Sequence, residues 1–320
     1  MKALLAGLLF GAALAAPAGA SAQATESDGA IVQAYEPDPA VWLLQDEDTR
    51  IYLLGTVHVL PEGFRWRSPR IDGIVAEADE LVLESTDEEN PAEDSRIARA
   101  LGSRAKLPGV SERLSAGNGD KWLALGESVG LDPETFDRLP PMLALLGMGI
   151  SASQQETGAE REYGVETVLT GDFRAAGKPI GAIENATEVF LSLLTLDEAV
   201  LIKELDRELT RLGDKDPATM LFAAPAKPGL SGDSLLAVEH RWAQGGDVDL
   251  GPEAFGATTF GRSVDKALLA RRNRAWAAWL EHRLTEPGTV LVAVGAGHLW
   301  GRNSLQVMLA GRGLAAERLN

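Results

Sequence analysis

The sequence predicts an α/β fold with a central, mostly parallel mixed sheet flanked by helices and a largely helical middle insertion. Apolar runs rich in valine, isoleucine and leucine carry this prediction, at residues 51–54, 81–83 and 290–294. Continuous runs of this kind are typical of strands that are buried on both faces of a parallel sheet. Long segments with the helical period lie between the runs, as the crossovers of a parallel sheet require.

The first part of the chain is predicted to be a leader followed by a βαβ-like unit. Residues 23–39 are polar and irregular, which favours a flexible leader. Residues 40–44 and 50–54 indicate a hairpin, because three acidic residues lie between them. The spacing of apolar residues predicts a helix over 69–78, and a strand over 81–83 completes a unit of about 35 residues.

The middle region, from about 92 to 223, is predicted to be mostly helical before the chain returns to the sheet. One long amphipathic helix is expected over 187–212, and a strand ending in a carboxylate is expected over 178–184. A helix over 263–284, a strand over 289–294 and a final helix and strand follow. Residues 40–320 are predicted to form a single domain, in which the glycine-rich segment 245–261 is a mobile loop.

The N-terminal residues have the pattern of a secretory signal peptide. Met1 and Lys2 precede an apolar stretch over 3–16, and a small-x-small cleavage site ends at Ala22. The apolar stretch is shorter than the roughly 20 residues that span a bilayer, which disfavours a membrane anchor. We expect cleavage after Ala22 and a periplasmic or secreted mature chain that does not insert into a membrane.

The composition excludes several classes of site and partner. The chain has no cysteine, which excludes disulfides, thiolate metal sites and cysteine nucleophiles. Its formal net charge of −17 at pH 7 argues against nucleic acid and anionic membrane surfaces as partners. A peptide or small-molecule substrate is the expected partner, whereas the sequence does not determine the oligomeric state.

Two of the four histidines follow a strand and a glycine. His58 ends the segment Gly-Thr-Val-His and His298 ends the segment Gly-Ala-Gly-His, each directly after an apolar run. In open α/β sheets, ligands bind outside the carboxyl ends of the strands. Imidazole is a common metal ligand and acid–base group, so both residues are candidates for the site. His240 and His282 lie in polar helical sequence and are expected at the surface.

Two glutamates are expected at the same edge of the sheet. Glu84 and Glu184 both follow strand-like runs, and a carboxylate beside two histidines can complete a divalent metal site. A bound metal makes water a nucleophile near neutral pH, and a second carboxylate can act as general base. The alternative for each glutamate is a helix cap or a salt bridge to Arg272 or Arg174. Glu166 is a weaker candidate.

The arginine-rich run at residues 271–274 opens the helix before the last long strand. Arg272 and Asn273 are candidates to face the site and to hold a carboxylate or an oxyanion. The other arginines of the run are expected to be solvated, and the nearby residues Trp276 and Trp279 are expected to pack in the core.

Together these motifs resemble the TraB/GumN family. This family includes the Tiki-type metalloproteases and is distantly similar to erythromycin esterases and ChaN-like proteins. The resemblance covers about residues 40–320 and is carried by W-L-L-Q through I-Y-L-L-G-T-V-H-V-L at 42–60, V-L-E at 82–84, Y-G-V-E at 163–166, K-P and I-E at 178–179 and 183–184, R-N-R at 272–274, and V-G-A-G-H-L-x-G at 294–301.

The resemblance implies an α/β fold and a divalent-metal site built from the two GxxH histidines and acidic residues. Position by position, His58, Glu84 and His298 match the family pattern, as do Glu184 and Arg272. Many relatives carry aspartate where this chain has Glu166, a change that keeps the charge but lengthens the side chain.

The expected function is that of a periplasmic metal-dependent hydrolase, most similar to a peptidase. His58, His298 and one glutamate would bind Mn²⁺, Co²⁺ or Zn²⁺, the other glutamate would activate water, and Arg272 would hold a substrate carboxylate or oxyanion. A metal-free hydrolase of the erythromycin esterase type, with a histidine as general base, is one alternative. The other is a non-catalytic ligand-binding or envelope accessory protein, since a fold does not by itself decide a function.

Overall fold

The computed structural model of the chain describes residues 31–86, 90–104, 106–214, 236–248, 262 and 265–320. The predicted signal peptide, residues 23–30 of the predicted leader and most of the segment 245–261 therefore lie outside the described residues. None of the helices in these ranges is long and apolar enough to cross a lipid bilayer.

The central element is a mixed sheet, which confirms the predicted fold class. Its strand order is β6-β4-β7-β2-β1-β8, and β6, β4, β7 and β2 run parallel. Strand β1 pairs antiparallel with β2 and with β8, and the short strands β3 and β5 form a separate pair. The strands are β1 (Val41–Gln45), β2 (Thr49–Thr56), β3 (Leu60–Pro61), β4 (Glu80–Leu83), β5 (Ala159–Glu160), β6 (Ile180–Ala182), β7 (Gly288–Gly295) and β8 (Glu317–Arg318).

Helices connect these strands and form the middle region. The α helices are α1 (Pro69–Glu77), α2 (Pro91–Arg104), α3 (Val110–Arg113), α4 (Asn118–Ser128), α5 (Pro133–Arg138), α6 (Pro141–Thr157), α7 (Val165–Ala175), α8 (Ala186–Leu193), α9 (Glu198–Leu212), α10 (Leu236–Ala243), α11 (Arg271–Arg283) and α12 (Leu305–Ala310). Short 3₁₀ turns cover Arg161–Tyr163 and Ala296–Leu299, and a π-helical turn covers Lys266–Ala270.

Strand β7 is buried on both faces, which explains its continuous apolar sequence. Leu291 and Ala293 pack with α1 and α7 on one face of the sheet. The alternate residues 290, 292 and 294 pack with α11 and α12 on the other face. Because successive side chains of a strand point to opposite faces, an uninterrupted apolar run is what two covered faces require.

The helical middle region has its own core, and one expectation about it is wrong. Trp122, Phe136 and Leu205 belong to a cluster separate from the clusters on the sheet. The single helix expected over 187–212 is two helices, α8 and α9. The break occurs because the Asp197 side chain caps α9 by accepting hydrogen bonds from the backbone N–H groups of residues 199 and 200.

Candidate functional site

Each of the parallel strands carries one predicted site residue at or just beyond its carboxyl end. His58 follows β2, Glu84 follows β4, Glu184 follows β6 and His298 follows β7. Strand pairing continues past β4 and β6, where the Glu184 N–H donates to the Glu84 carbonyl over 3.0 Å. The four side chains therefore meet at one edge of the sheet, where ligands of α/β folds bind.

His58 is held by Glu166, which lies at the start of α7. The distance from His58 Nδ1 to Glu166 Oε1 is 2.6 Å, and the Thr56 hydroxyl donates to the same carboxylate oxygen. The helix is fastened to the strand end by its backbone, because the Val165 N–H donates to the Val57 carbonyl over 3.1 Å. The weaker candidate Glu166 is thus a direct partner of His58.

His298 is held by Asn273, which lies on α11. The distance from His298 Nδ1 to Asn273 Oδ1 is 2.6 Å. The Asn273 amide nitrogen donates to the carbonyls of His298 and Asn303, so its oxygen is the atom left to accept from the ring. His298 therefore carries its proton on Nδ1, and its Nε2 lies 3.8 Å from Glu84 Oε1.

Glu84 is the buried carboxylate between the two histidines. Its Oε1 accepts a hydrogen bond of 2.7 Å from the Gly295 N–H, and its Oε2 contacts Arg272 Nη2. A Cβ atom at Gly295 would lie 3.0 Å from Glu84 Oε1 and 3.2 Å from His58 Nε2. Because glycine has no side chain, Gly295 leaves space between Glu84 and His58.

Arg272 joins the two strand-end glutamates. Its Nε lies 3.0 Å from each carboxylate oxygen of Glu184, while its Nη2 contacts both Glu184 and Glu84. The Trp276 indole N–H donates to Glu184 Oε2 over 2.9 Å, and the same ring stacks against His298 with centroids 4.2 Å apart. Trp276 is buried as expected, yet it also orders polar groups of the site.

The surroundings shift the pKa values of the two histidines in opposite directions. Burial alone lowers the pKa of His58, but Glu166 and Glu84 outweigh it and raise the pKa to about 9. Burial and the nearby Arg272 lower the pKa of His298 to about 3. Without a bound metal, the shifts favour a charged His58 that faces a carboxylate and a neutral His298.

The pKa values of Glu84 and Glu184 are also shifted in opposite directions. Burial raises the pKa of Glu84, but Arg272 overrides it and holds the pKa at about 2. For Glu184, burial dominates over the opposing effect of Arg272, and the pKa is raised above its usual range.

A cavity of about 500 Å³ opens over this edge of the sheet. His58, Glu84 and Glu166 lie in its walls, together with residues of α7. Glu184, Arg272 and His298 are not among the described wall residues, so they support the site from behind. This volume is in the range of cavities that bind small ligands.

The donor atoms fit a divalent cation in type and direction. Two imidazoles whose Nδ1 atoms are anchored, with a carboxylate between them, suit Mn²⁺, Co²⁺ or Zn²⁺. Within the described ranges, however, no three histidine, aspartate or glutamate side chains form a ready metal cage. Binding would thus require the side chains of His58, Glu84 and His298 to draw together, and it would require His58 to release its second ring proton.

Comparison with known proteins decides the family. The profile of the TraB/PrgY/gumN family matches residues 40–318, which include every strand of the sheet. The chain belongs to the TraB/PrgY/gumN family. It is 27% identical over 265 residues to proteins named "Uncharacterized protein YbaP" from Escherichia coli strain K12 and Shigella flexneri, covering 81% of this chain and 87% of each relative. No solved structure matches the chain.

Some contacts of this candidate site were not predicted from the sequence. Asn273 was a candidate for contact with substrate, yet it holds His298, and Thr56 was not singled out although it lies two residues before His58. His240 is not a bare surface residue, because its Nδ1 lies 2.6 Å from the Tyr35 hydroxyl and its ring packs against Phe64. Two features of the sequence could have indicated these roles. Asn273 is adjacent to Arg272, and Thr56 directly follows the glycine of the first GxxH motif.

Proposed function

We propose that this protein is a divalent-metal-dependent, peptidase-like hydrolase in which His58, His298 and Glu84 hold the metal. The observation that carries the proposal is the anchoring of both imidazoles at Nδ1, by Glu166 and by Asn273. Metal-binding histidines almost always have such a partner, because it fixes the tautomer and the ring orientation. The predicted signal peptide supports action in the periplasm or outside the cell.

The remaining polar residues of the site have supporting roles in this proposal. A bound divalent ion would supply a water nucleophile at neutral pH and would polarise the scissile carbonyl. Arg272 places a permanent positive charge beside Glu84, which favours the ionised form that a carboxylate ligand needs. We assign Glu184 to positioning Arg272, because both of its oxygens already accept hydrogen bonds from Arg272 and Trp276.

Metal binding is the first test. Elemental analysis and calorimetric titration with Mn²⁺, Co²⁺ and Zn²⁺ are expected to give about one ion per chain, as a three-ligand site requires. His58→Ala and His298→Ala should lose this binding. His282→Ala is the matched control, because His282 is exposed on the far end of α11 and should leave binding unchanged.

The same titration separates the proposal from its main rival. If the wild-type protein binds none of the three ions, the metal-dependent mechanism is wrong. The contact between His58 and Glu166 would then favour a metal-free hydrolase, since a carboxylate that orients a histidine is typical of acid–base catalysis. Ester hydrolysis that persists with a chelator and is lost in His58→Ala would identify that mechanism.

A further inference from the structure

One face of α7 forms a continuous wall of the cavity. Thr167, Thr170, Gly171 and Arg174 all line it, and their spacing of three and four residues places them on one side of the helix. The opposite side carries Val165, Leu169 and Phe173, which are buried in the main core. Helix α7 thus has a core face and a cavity face along its whole length.

This wall extends away from the cluster of charged side chains. Glu166, which holds His58, and Arg174 are eight residues apart, so they are separated by about 12 Å along the helix axis. An extended peptide advances by about 3.3 Å per residue, and about three to four residues would cover that distance. The cavity wall formed by α7 is therefore long enough for about three to four residues of an extended peptide.

The middle of the wall has open space. A Cβ atom at Gly171 would meet no atom within 4 Å, although the residue is flanked by other wall residues. A chain of substrate atoms can therefore pass close to the helix backbone at this point.

The far end of the wall carries a positive charge. Arg174 makes no ion pair with any side chain in the described ranges. At the near end, by contrast, Glu84 is paired with Arg272 and Glu166 is paired with His58. The guanidinium of Arg174 is thus available to a ligand, and it is suited to binding a carboxylate through two hydrogen bonds.

We propose that the α7 wall is a substrate subsite for a short extended peptide, with a carboxylate of that peptide bound by Arg174 about three to four residues from the reacting bond. This inference deepens the proposed function, which supplies the position of the reacting bond. The carboxylate can be the C-terminus of the peptide or an acidic side chain.

Binding of peptide libraries tests the subsite without any turnover. Three libraries of N-acetylated pentapeptides would be incubated with the full-length mature chain in chelator, and retained peptides would be quantified by mass spectrometry after ultrafiltration. The first library ends in a free carboxylate and the second in an amide, both without acidic side chains. The third ends in an amide and carries one aspartate, which distinguishes the two sources of the carboxylate.

The wild-type protein is expected to retain an acidic library about threefold better than the neutral amide library, because an ion pair with the exposed Arg174 contributes about that much. Arg174→Gln should bring the ratio close to one. Gly171→Leu, which places a side chain into the open space, should reduce retention of all three libraries. The matched controls are Arg211→Gln, an exposed arginine on α9, and Gly73→Leu, an exposed helical glycine with open space around it.

Equal retention of acidic and neutral libraries, an unchanged ratio in Arg174→Gln, or retention of no library would overturn this inference. The proposed function fails separately. If an acidic library is retained but is not cleaved after addition of Mn²⁺, Co²⁺ or Zn²⁺, the subsite stands and the hydrolase proposal is wrong. If peptides are cleaved without preference for a carboxylate, the reverse holds.

Discussion

At the scale of single residues, Gly295 is the position where a small change tests the site most directly. Its φ of −48° and ψ of 132° are accessible to alanine, so Gly295→Ala should not strain the backbone. The new methyl group would lie 3.0 Å from Glu84 Oε1 and 3.2 Å from His58 Nε2. We predict a loss of Mn²⁺ affinity of at least about tenfold, with a stability loss of no more than about 1–3 kcal/mol.

Calorimetric titration and thermal unfolding of the variant give the two quantities. Gly181→Ala on β6 is the matched control, because its Cβ would make an ordinary contact of 3.4 Å with Glu80. Unchanged metal affinity in Gly295→Ala would show that the space between Glu84 and His58 is not the binding site.

The sequence identifies some residues of this cluster and not their partners, for a physical reason. His58, Glu84 and His298 follow apolar runs, and the ends of parallel strands meet wherever the sheet forms. The contact of His58 with Glu166 depends instead on where α7 packs, more than 100 residues along the chain. No local pattern encodes that distance, so Glu166 could be recognised as an acidic residue but not as the partner of His58.

At the scale of secondary structure, the strands were predicted well because burial on both faces leaves a continuous apolar run. The predicted strand over 289–294 is β7 with one residue added at each end, and the hairpin of β1 and β2 lies where it was expected. The prediction of one helix over 187–212 was wrong because a single aspartate, Asp197, caps a second helix and so divides the segment into two. Such a break depends on one side chain and barely changes the helical period.

Gly164 lies where the start of α7 packs against the chain that follows β2, and its replacement should separate these two elements. A Cβ atom at this position would lie 2.0 Å from the His58 carbonyl oxygen, although its φ of −62° is open to any residue. Gly164→Ala must therefore push α7 away from the end of β2. We predict a loss of at least about 2 kcal/mol in the free energy of unfolding, measured by urea denaturation.

The matched change is Gly73→Ala on α1, where a Cβ atom meets nothing within 4 Å. It should stabilise the protein by up to about 1 kcal/mol, because alanine favours a helix over glycine. If Gly164→Ala were as stable as the wild type, the close packing of α7 on the end of β2 would be incorrect.

At the scale of the whole molecule, the sheet collects an ion cluster at one edge, and the fold supports it from both faces. Arg272 and Asn273 come from α11, which covers one face, whereas Glu166 comes from α7, which covers the other. Opposite charges thus approach Glu84 and His58 from both sides. The stability of the whole molecule should consequently depend on the charge state of this cluster.

We predict that the stabilising effect of the pair formed by His58 and Glu166 is lost in alkaline solution. The pKa of His58 is raised from 6.5 to about 9 in the folded protein, so its contribution is fully present below pH 6.5 and disappears as the pH rises through 9. On the acid side, Glu166 has a lowered pKa, so the contribution is also lost as the pH falls below 4.5. The pair should be most effective between these limits.

The free energy of unfolding of the wild type and of Glu166→Gln, measured in urea with a chelator present, gives the contribution of the pair. The difference between the two free energies should be largest near pH 6 and should shrink by about pH 9.5, because His58 loses its charge in that range. Groups that titrate in the same way in both proteins do not affect the difference. His282→Gln, which changes an exposed histidine outside the cluster, is the matched control for the loss of a polar side chain. A constant difference for Glu166→Gln would mean that His58 is neutral in the folded protein. The contact at the end of β2 would then be a hydrogen bond from a neutral imidazole and not an ion pair.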